Sequence, residues 1–168
     1  MSKNKFVVVV QCEQVTKHCS GFFCEHAFNA KKDCFSSYAD YDKVRLLTMS
    51  CGGCPGRNTL NKLINLVSQI KKTEKFPKTE IVVHLASCVA FESYHGPECP
   101  HKEYLTKLIT EKGGFELVYG SRLSHIAEGR RKIGTYNKRE TESIPPFRKP
   151  GAYHTGEPHK LPPILKND

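Results

Sequence analysis

No stretch of this sequence is long and apolar enough to span a bilayer. The longest uninterrupted aliphatic or aromatic run covers only residues 6–10, whereas a membrane helix needs roughly 20 such residues. Two lysines precede that run within residues 1–5, but so short a run does not make the core of a secretion signal, and no small-residue cleavage site comes after it. The expectation is a soluble, cytoplasmic protein with no membrane partner. Several catalytic signatures are missing too. No carboxylate pair, Ser-His-Asp order or phosphate-cradling loop stands at a convincing position, and Gly52-Gly53-Cys54-Pro55-Gly56 lacks the Lys and Ser or Thr of a P-loop. Acidic residues are scarce: 17 Asp and Glu face 26 Lys and Arg, for a net charge of +9.

What remains is an ordinary globular chain of 168 residues, 38% hydrophobic and 26% charged, of one-domain length and able to bury a real core. The charge is uneven. Residues 126–168 hold 9 Lys and Arg against 5 Asp and Glu, six of the ten prolines, four of the twelve glycines and no cysteine. No helical or strand period persists there. These residues read as a Pro-rich basic tail, extended or partly disordered, following a domain at 1–125. On that reading residues 130–168 are dispensable, with one reservation: residues 144–147 and 161–165 carry apolar side chains that can dock on the chain itself or on the partner of a homodimer. Arg130-Arg131-Lys132 reads as solvated surface rather than a nucleic-acid contact, and His154 and His159 as solvated.

Residues 1–125 alternate between strand and helix signals. Residues 6–11 (FVVVVQ) form a continuous β-branched run, the pattern of a strand buried on both faces. Residues 44–49, 81–86 (IVVHLA) and 115–119 (FELVY) repeat that character. Leu60, Leu63, Ile64, Val67 and Ile70 mark one face of a helix, as do Tyr104, Leu105, Leu108 and Ile109, which Gly113-Gly114 terminate. A shorter helix is expected within residues 19–29. Such alternation predicts an α/β fold: a small three-layer sandwich around a mostly parallel sheet of about four strands in flavodoxin-like order.

The eight cysteines, accompanied by eight histidines, are too many for incidental core thiols, and a reducing compartment does not favour a disulfide framework. Cys12 follows the first strand, Cys51 and Cys54 the second, and Cys88 the third. These loops open on the carboxyl edge of a parallel sheet, where open α/β folds place their ligand sites. Cys19 and Cys24 lie in the same connection as Cys12, and Cys99 closes the loop after Cys88, with His101 behind it. Cys34 lies apart and reads as packing. Pro55 and Pro100 suggest that Cys54 and Cys99 sit near helix N-caps, where thiolate is favoured. Gly52 and Gly53 permit the tight turn that lets both sulfurs of a C-x-x-C face one ion. His84 reads as a hydrogen-bonded core residue, His18 and His95 as alternate ligands, and His125 as close to the same edge. Glu25 and Glu92 share the cysteine-bearing loops and could move protons. Arg57, early in the long helix, either holds an anion or is solvated.

The run Cys51-Gly52-Gly53-Cys54-Pro55-Gly56-Arg57, with Cys12, Cys19-Ser20-Gly21-x-x-Cys24, Leu85-x-x-Cys88 and Cys99-Pro100-His101, resembles the CGGC-domain family of small prokaryotic proteins over roughly residues 5–125. The resemblance implies a metal site, zinc in particular, at Cys12, Cys19, Cys24, Cys51, Cys54, Cys88, Cys99 and His101; Cys34 falls outside the pattern.

Three functions compete on these residues. A zinc-binding protein with a mostly thiolate site leads, since zinc takes four Cys or His ligands. An iron–sulfur cluster would use the same thiolates, although no compact ferredoxin run is present. A thiol–disulfide enzyme would use Cys51 as an exposed nucleophile and Cys54 as its resolving partner, but needs only those two.

Overall fold

A computed structural model describes residues 3–74, 76–139 and 144. Four strands, β1 (Asn4–Gln11), β2 (Lys43–Ser50), β3 (Ile81–Leu85) and β4 (Glu116–Tyr119), form one sheet in the order β2-β1-β3-β4. Every neighbouring pair is parallel, so the fold is α/β and the strand order begins as a flavodoxin-like sheet does. Between β1 and β2 lie α1 (Glu13–Thr16), α2 (Phe22–Asn29) and a 3₁₀ turn at Asp33–Tyr38. The long helix α3 (Asn58–Thr73) joins β2 to β3. Then come α4 (Ser87–Ala90) and α5 (Lys102–Lys107), which runs on as a wider π turn over Leu108–Lys112, and, after β4, α6 (His125–Lys132). No helix of the described residues is long and apolar enough to cross a membrane.

The valine run decides the layering. Successive side chains of a strand point to opposite faces, and Val7, Val8, Val9 and Val10 are all sealed from solvent. Val8 and Val10 join Leu63, Ile70, Leu105 and Ile109 in one core. Val7 and Val9 join Ala27, Phe28, Phe35 and Tyr38 in the other. Burying each valine contributes about 1.5–3 kcal/mol. Strand β2 departs from the expected buried character: it pairs only with β1 at the sheet edge, and Leu47 is exposed.

His84 is the core residue its position on β3 implies. Its Nδ1 lies 2.8 Å from the Gly120 carbonyl, which can only accept, so Nδ1 carries the proton. Nε2 then accepts from the Tyr38 hydroxyl at 2.7 Å, whose own pKa burial raises, keeping it a donor. Both ring nitrogens are used, and neither is available to a metal. Burial pushes the imidazole pKa down from 6.5 to about 4.

Residues 125–139 and 144 are held to the domain more closely than the sequence suggests. They open as α6, and Ala127 is buried. Arg131 pairs with Glu128 at 2.7 Å with only 8% of its side chain exposed, and also donates to the Glu92 carbonyl. Arg139 pairs with the same Glu128, and both guanidiniums sit over Phe91. Asn137 N–H donates to the Glu92 carboxylate, and Ile144 bridges antiparallel to Leu117 of β4. Sequence periodicity missed this because the attachment runs through arginines, whose stems pack while their charges pair. The apolar segments at 145–147 and 161–165, His154 and His159 lie outside the described residues.

The fold generates two expected outcomes. Between pH 6.5 and about 4 the unfolded chain protonates His84 while the folded chain does not, so stability falls with pH by about 1.4 kcal/mol per unit across that window. Urea midpoints should show His84→Gln losing less stability than the native chain over that range; parallel pH profiles would contradict the assignment. A chain ending at Gly129 removes the Arg131 and Arg139 contacts. It should unfold at least roughly 6 °C lower, the scale of about 2 kcal/mol in a domain of this size, as read by calorimetry.

Candidate functional site

A parallel sheet delivers all its strand ends to one edge, and here hydrogen bonds continue past the strands and fix the residues just beyond them. Cys51 N–H donates to the Gln11 carbonyl at 2.9 Å, Ala86 N–H to Val10 at 2.9 Å, and Gly120 N–H to Leu85 at 2.7 Å. Cys12 therefore lies between the segments that carry Cys51 and Cys88. Its own N–H points at the Cys88 sulfur, 3.5 Å away. This contact stands between β1 and β3, where the strand order reverses and open sheets leave a crevice.

The C-G-G-C turn depends on its glycines. Gly52 and Gly53 take φ of 79° and 94°, left-handed values that favour residues without a Cβ. A Cβ on Gly52 would lie 2.7 Å from that of Asn58. Two expectations need correction here. Cys51 is the buried cysteine and Cys54 the exposed one, which reverses the roles assigned to them in a dithiol enzyme. Neither Cys54 nor Cys99 is an N-cap. Gly56, with φ of 94°, adds a reverse turn after the C-G-G-C, so Arg57 caps α3, and His101 caps α5.

Burial raises the Cys99 thiol above its ordinary value. The His101 backbone N–H opposes that rise, and Cys12, Cys54 and Cys51 add to it. Burial likewise pushes Cys88 up to about 12, with the Cys12 N–H opposing and Cys24, Cys12 and Cys19 reinforcing. Two neighbourhoods emerge that share Cys12. Cys12, Cys51, Cys88 and Cys99 belong to the core on the α3 and α5 side, and Cys88 also touches the core on the α2 side.

On that second side Cys24 Sγ meets Ser121 Oγ at 3.2 Å. Ser121 Oγ accepts from Ser87 N–H at 3.1 Å, while Ser121 N–H donates to Ser87 Oγ at 3.0 Å. A cavity of about 1020 Å³ opens here, lined among others by Cys19, Cys24, Cys88 and both serines. His18 and His95 face each other on its wall, 3.3 Å apart between Nε2 and Nδ1. Burial foremost, then the His18 and Arg122 charges, lowers the pKa of His95. Ser121 was legible after all: it stands just past β4, as cysteines stand past the other strands.

The remaining candidates disperse. Cys34 packs where a Cβ on Gly120 would meet its sulfur at 2.5 Å, and burial drives its thiol up to about 12. Glu25 accepts from Asn29, Glu92 from Asn137, and His26 stacks on Phe22. His125 opens α6. Among the described residues, no three His, Cys, Asp or Glu are already gathered closely enough to hold a metal ion. The thiols converge on one edge without forming a finished coordination shell.

The CGGC domain family matches residues 6–122. The chain belongs to that family. An uncharacterized protein of Methanocaldococcus jannaschii is 27% identical over 122 residues, covering 68% of this chain and 84% of the relative. No solved structure matches the chain.

The burial pattern of this CGGC domain predicts a thiol order. In chelator-treated protein at neutral to mildly basic pH, iodoacetamide should modify exposed Cys54 first. Cys34 and Cys88, held as thiols by burial, should react roughly tenfold more slowly or less, because the thiolate is the nucleophile. Peptide mass mapping over time checks the order, and early labelling of Cys88 would contradict it.

Proposed function

We propose that this CGGC domain binds a metal ion, zinc, through thiolates at the carboxyl edge of its sheet. The observation that carries the reading is the convergence of cysteines at that edge: Cys12 just past β1, Cys51 and Cys54 in the turn after β2, and Cys99 in the loop before α5, with Cys12, Cys51 and Cys99 packed against one core. Four soft donors suit a tetrahedral thiophilic ion. Cys12, Cys51, Cys54 and Cys99 would hold it. Cys88, with Cys19 and Cys24 beside it, would support the shell or receive a second ion, and His101 braces Cys99 through its N–H.

Metal content and colour of anaerobically purified protein test the proposal. Stoichiometric zinc in colourless protein is expected, whereas brown protein with iron and sulfide would favour a cluster on the same thiolates. Cys51→Ser and Cys99→Ser should each lose bound metal, while Cys34→Ser should keep it. Full occupancy in Cys51→Ser would overturn the assignment. Affinity should fall as pH is lowered, since each ligating thiol must release its proton and burial makes that release harder at Cys99.

A further inference from the structure

The cavity on the α2 side has a chemistry of its own. None of Cys12, Cys51, Cys54 and Cys99 lines it, and none of its lining residues is Asp or Glu. Three arginines do line it: Arg122, Arg130 and Arg131. Arg131 is neutralised by Glu128, and among the described residues its buried Nε–H has no hydrogen-bond partner. Among the described residues, neither Arg122 nor Arg130 has a carboxylate within ion-pair distance; Arg122 lies over the Phe23 ring at 4.2 Å, and Arg130 donates to the Tyr136 hydroxyl. Aromatic rings form part of the wall, and two of them are open to solvent: Phe22 is 59% exposed and Phe23 56%.

We infer that this cavity binds a small organic oxyanion with an aromatic body, its charged head on the arginines and its rings against Phe22 and Phe23. Two observations converge on it. Arg122 and Arg130 bring positive charge to the lining with no carboxylate among the described residues to offset it. The space, about 1020 Å³, is at the upper end of ordinary small-molecule sites. The inference goes beyond the four-cysteine site, none of whose residues lines this cavity, and does not rest on it.

The test uses the full chain and the fluorescent probe anilinonaphthalene sulfonate, an aromatic oxyanion, beside its uncharged relative phenylnaphthylamine. Saturable binding of the sulfonate at one site per chain is expected. Arg122→Gln should weaken it roughly tenfold, the scale of a charge-assisted contact, while changing the uncharged dye less than about twofold. Displacement of the sulfonate by adenosine monophosphate or by naphthoate supports the inference, and shows whether the natural head group is a phosphate or a carboxylate. Displacement by neither overturns it. So does equal weakening of both dyes, or a sulfonate titration that Arg122→Gln and Arg130→Gln both leave unchanged. Circular dichroism of each variant confirms that the fold persists.

Discussion

Strand β1 has no solvent on either face and a hydrogen-bonded neighbour on each side, and the candidate site depends on that double burial. Val8 and Val10 hold the α3 and α5 layer, Val7 and Val9 the α2 layer. With both faces occupied, β1 cannot slip by one residue without exchanging one layer's side chains for the other's. The register fixes Gln11 opposite Ser50 and Val10 opposite Leu85. Cys12, Cys51 and Cys88 then leave the sheet at neighbouring points. The valines, remote from any chemistry, set where the sulfurs stand.

Burial also decides the chemical state of those sulfurs. Thiols held in a half-buried edge resist losing their protons, and Cys88 and Cys99 are both raised despite backbone N–H groups aimed at them. Desolvation outweighs the donated hydrogen bond, the opposite of the helix-end activation that Pro55 and Pro100 suggest in the sequence. In the zinc site proposed above, a bound ion would reverse that balance by offering positive charge to the thiols. The overall charge of +9 does not achieve this. The Cys51 and Cys54 turn contains no basic residue before Arg57, and Lys62 is engaged by the Ser50 carbonyl and hydroxyl.

Much of this was readable from the chain because the signals are local. A run of four valines can be only a buried strand or a buried helix segment, and its length favours the strand; Leu60, Leu63 and Ile70 announce α3 in the same way. Cysteines directly after three strands become neighbours once parallel pairing is accepted. What was not readable depends on contacts remote in sequence. Which of Cys51 and Cys54 faces solvent is set by the path of Gly52 and Gly53, and the start of α3 by Gly56. The attachment of residues 125–139 is carried by Arg131, Arg139 and Asn137 reaching back about 40 residues to Phe91 and Glu92, where no periodicity exists to reveal it.

Those same arginines give the edge its asymmetry. On the α3 and α5 side, Cys12, Cys51, Cys88 and Cys99 pack against an apolar core. On the α2 side, helix α6 brings Arg130 and Arg131 to a cavity whose lining holds no carboxylate, the setting of the anion site proposed above. The two sides touch where Cys12 N–H meets the Cys88 sulfur, a single contact across the β1 and β3 crevice. Cys88 also forms part of the cavity wall. The edge thiols and the cavity on the α2 side thus share one residue, Cys88, which packs against both cores and lines the cavity.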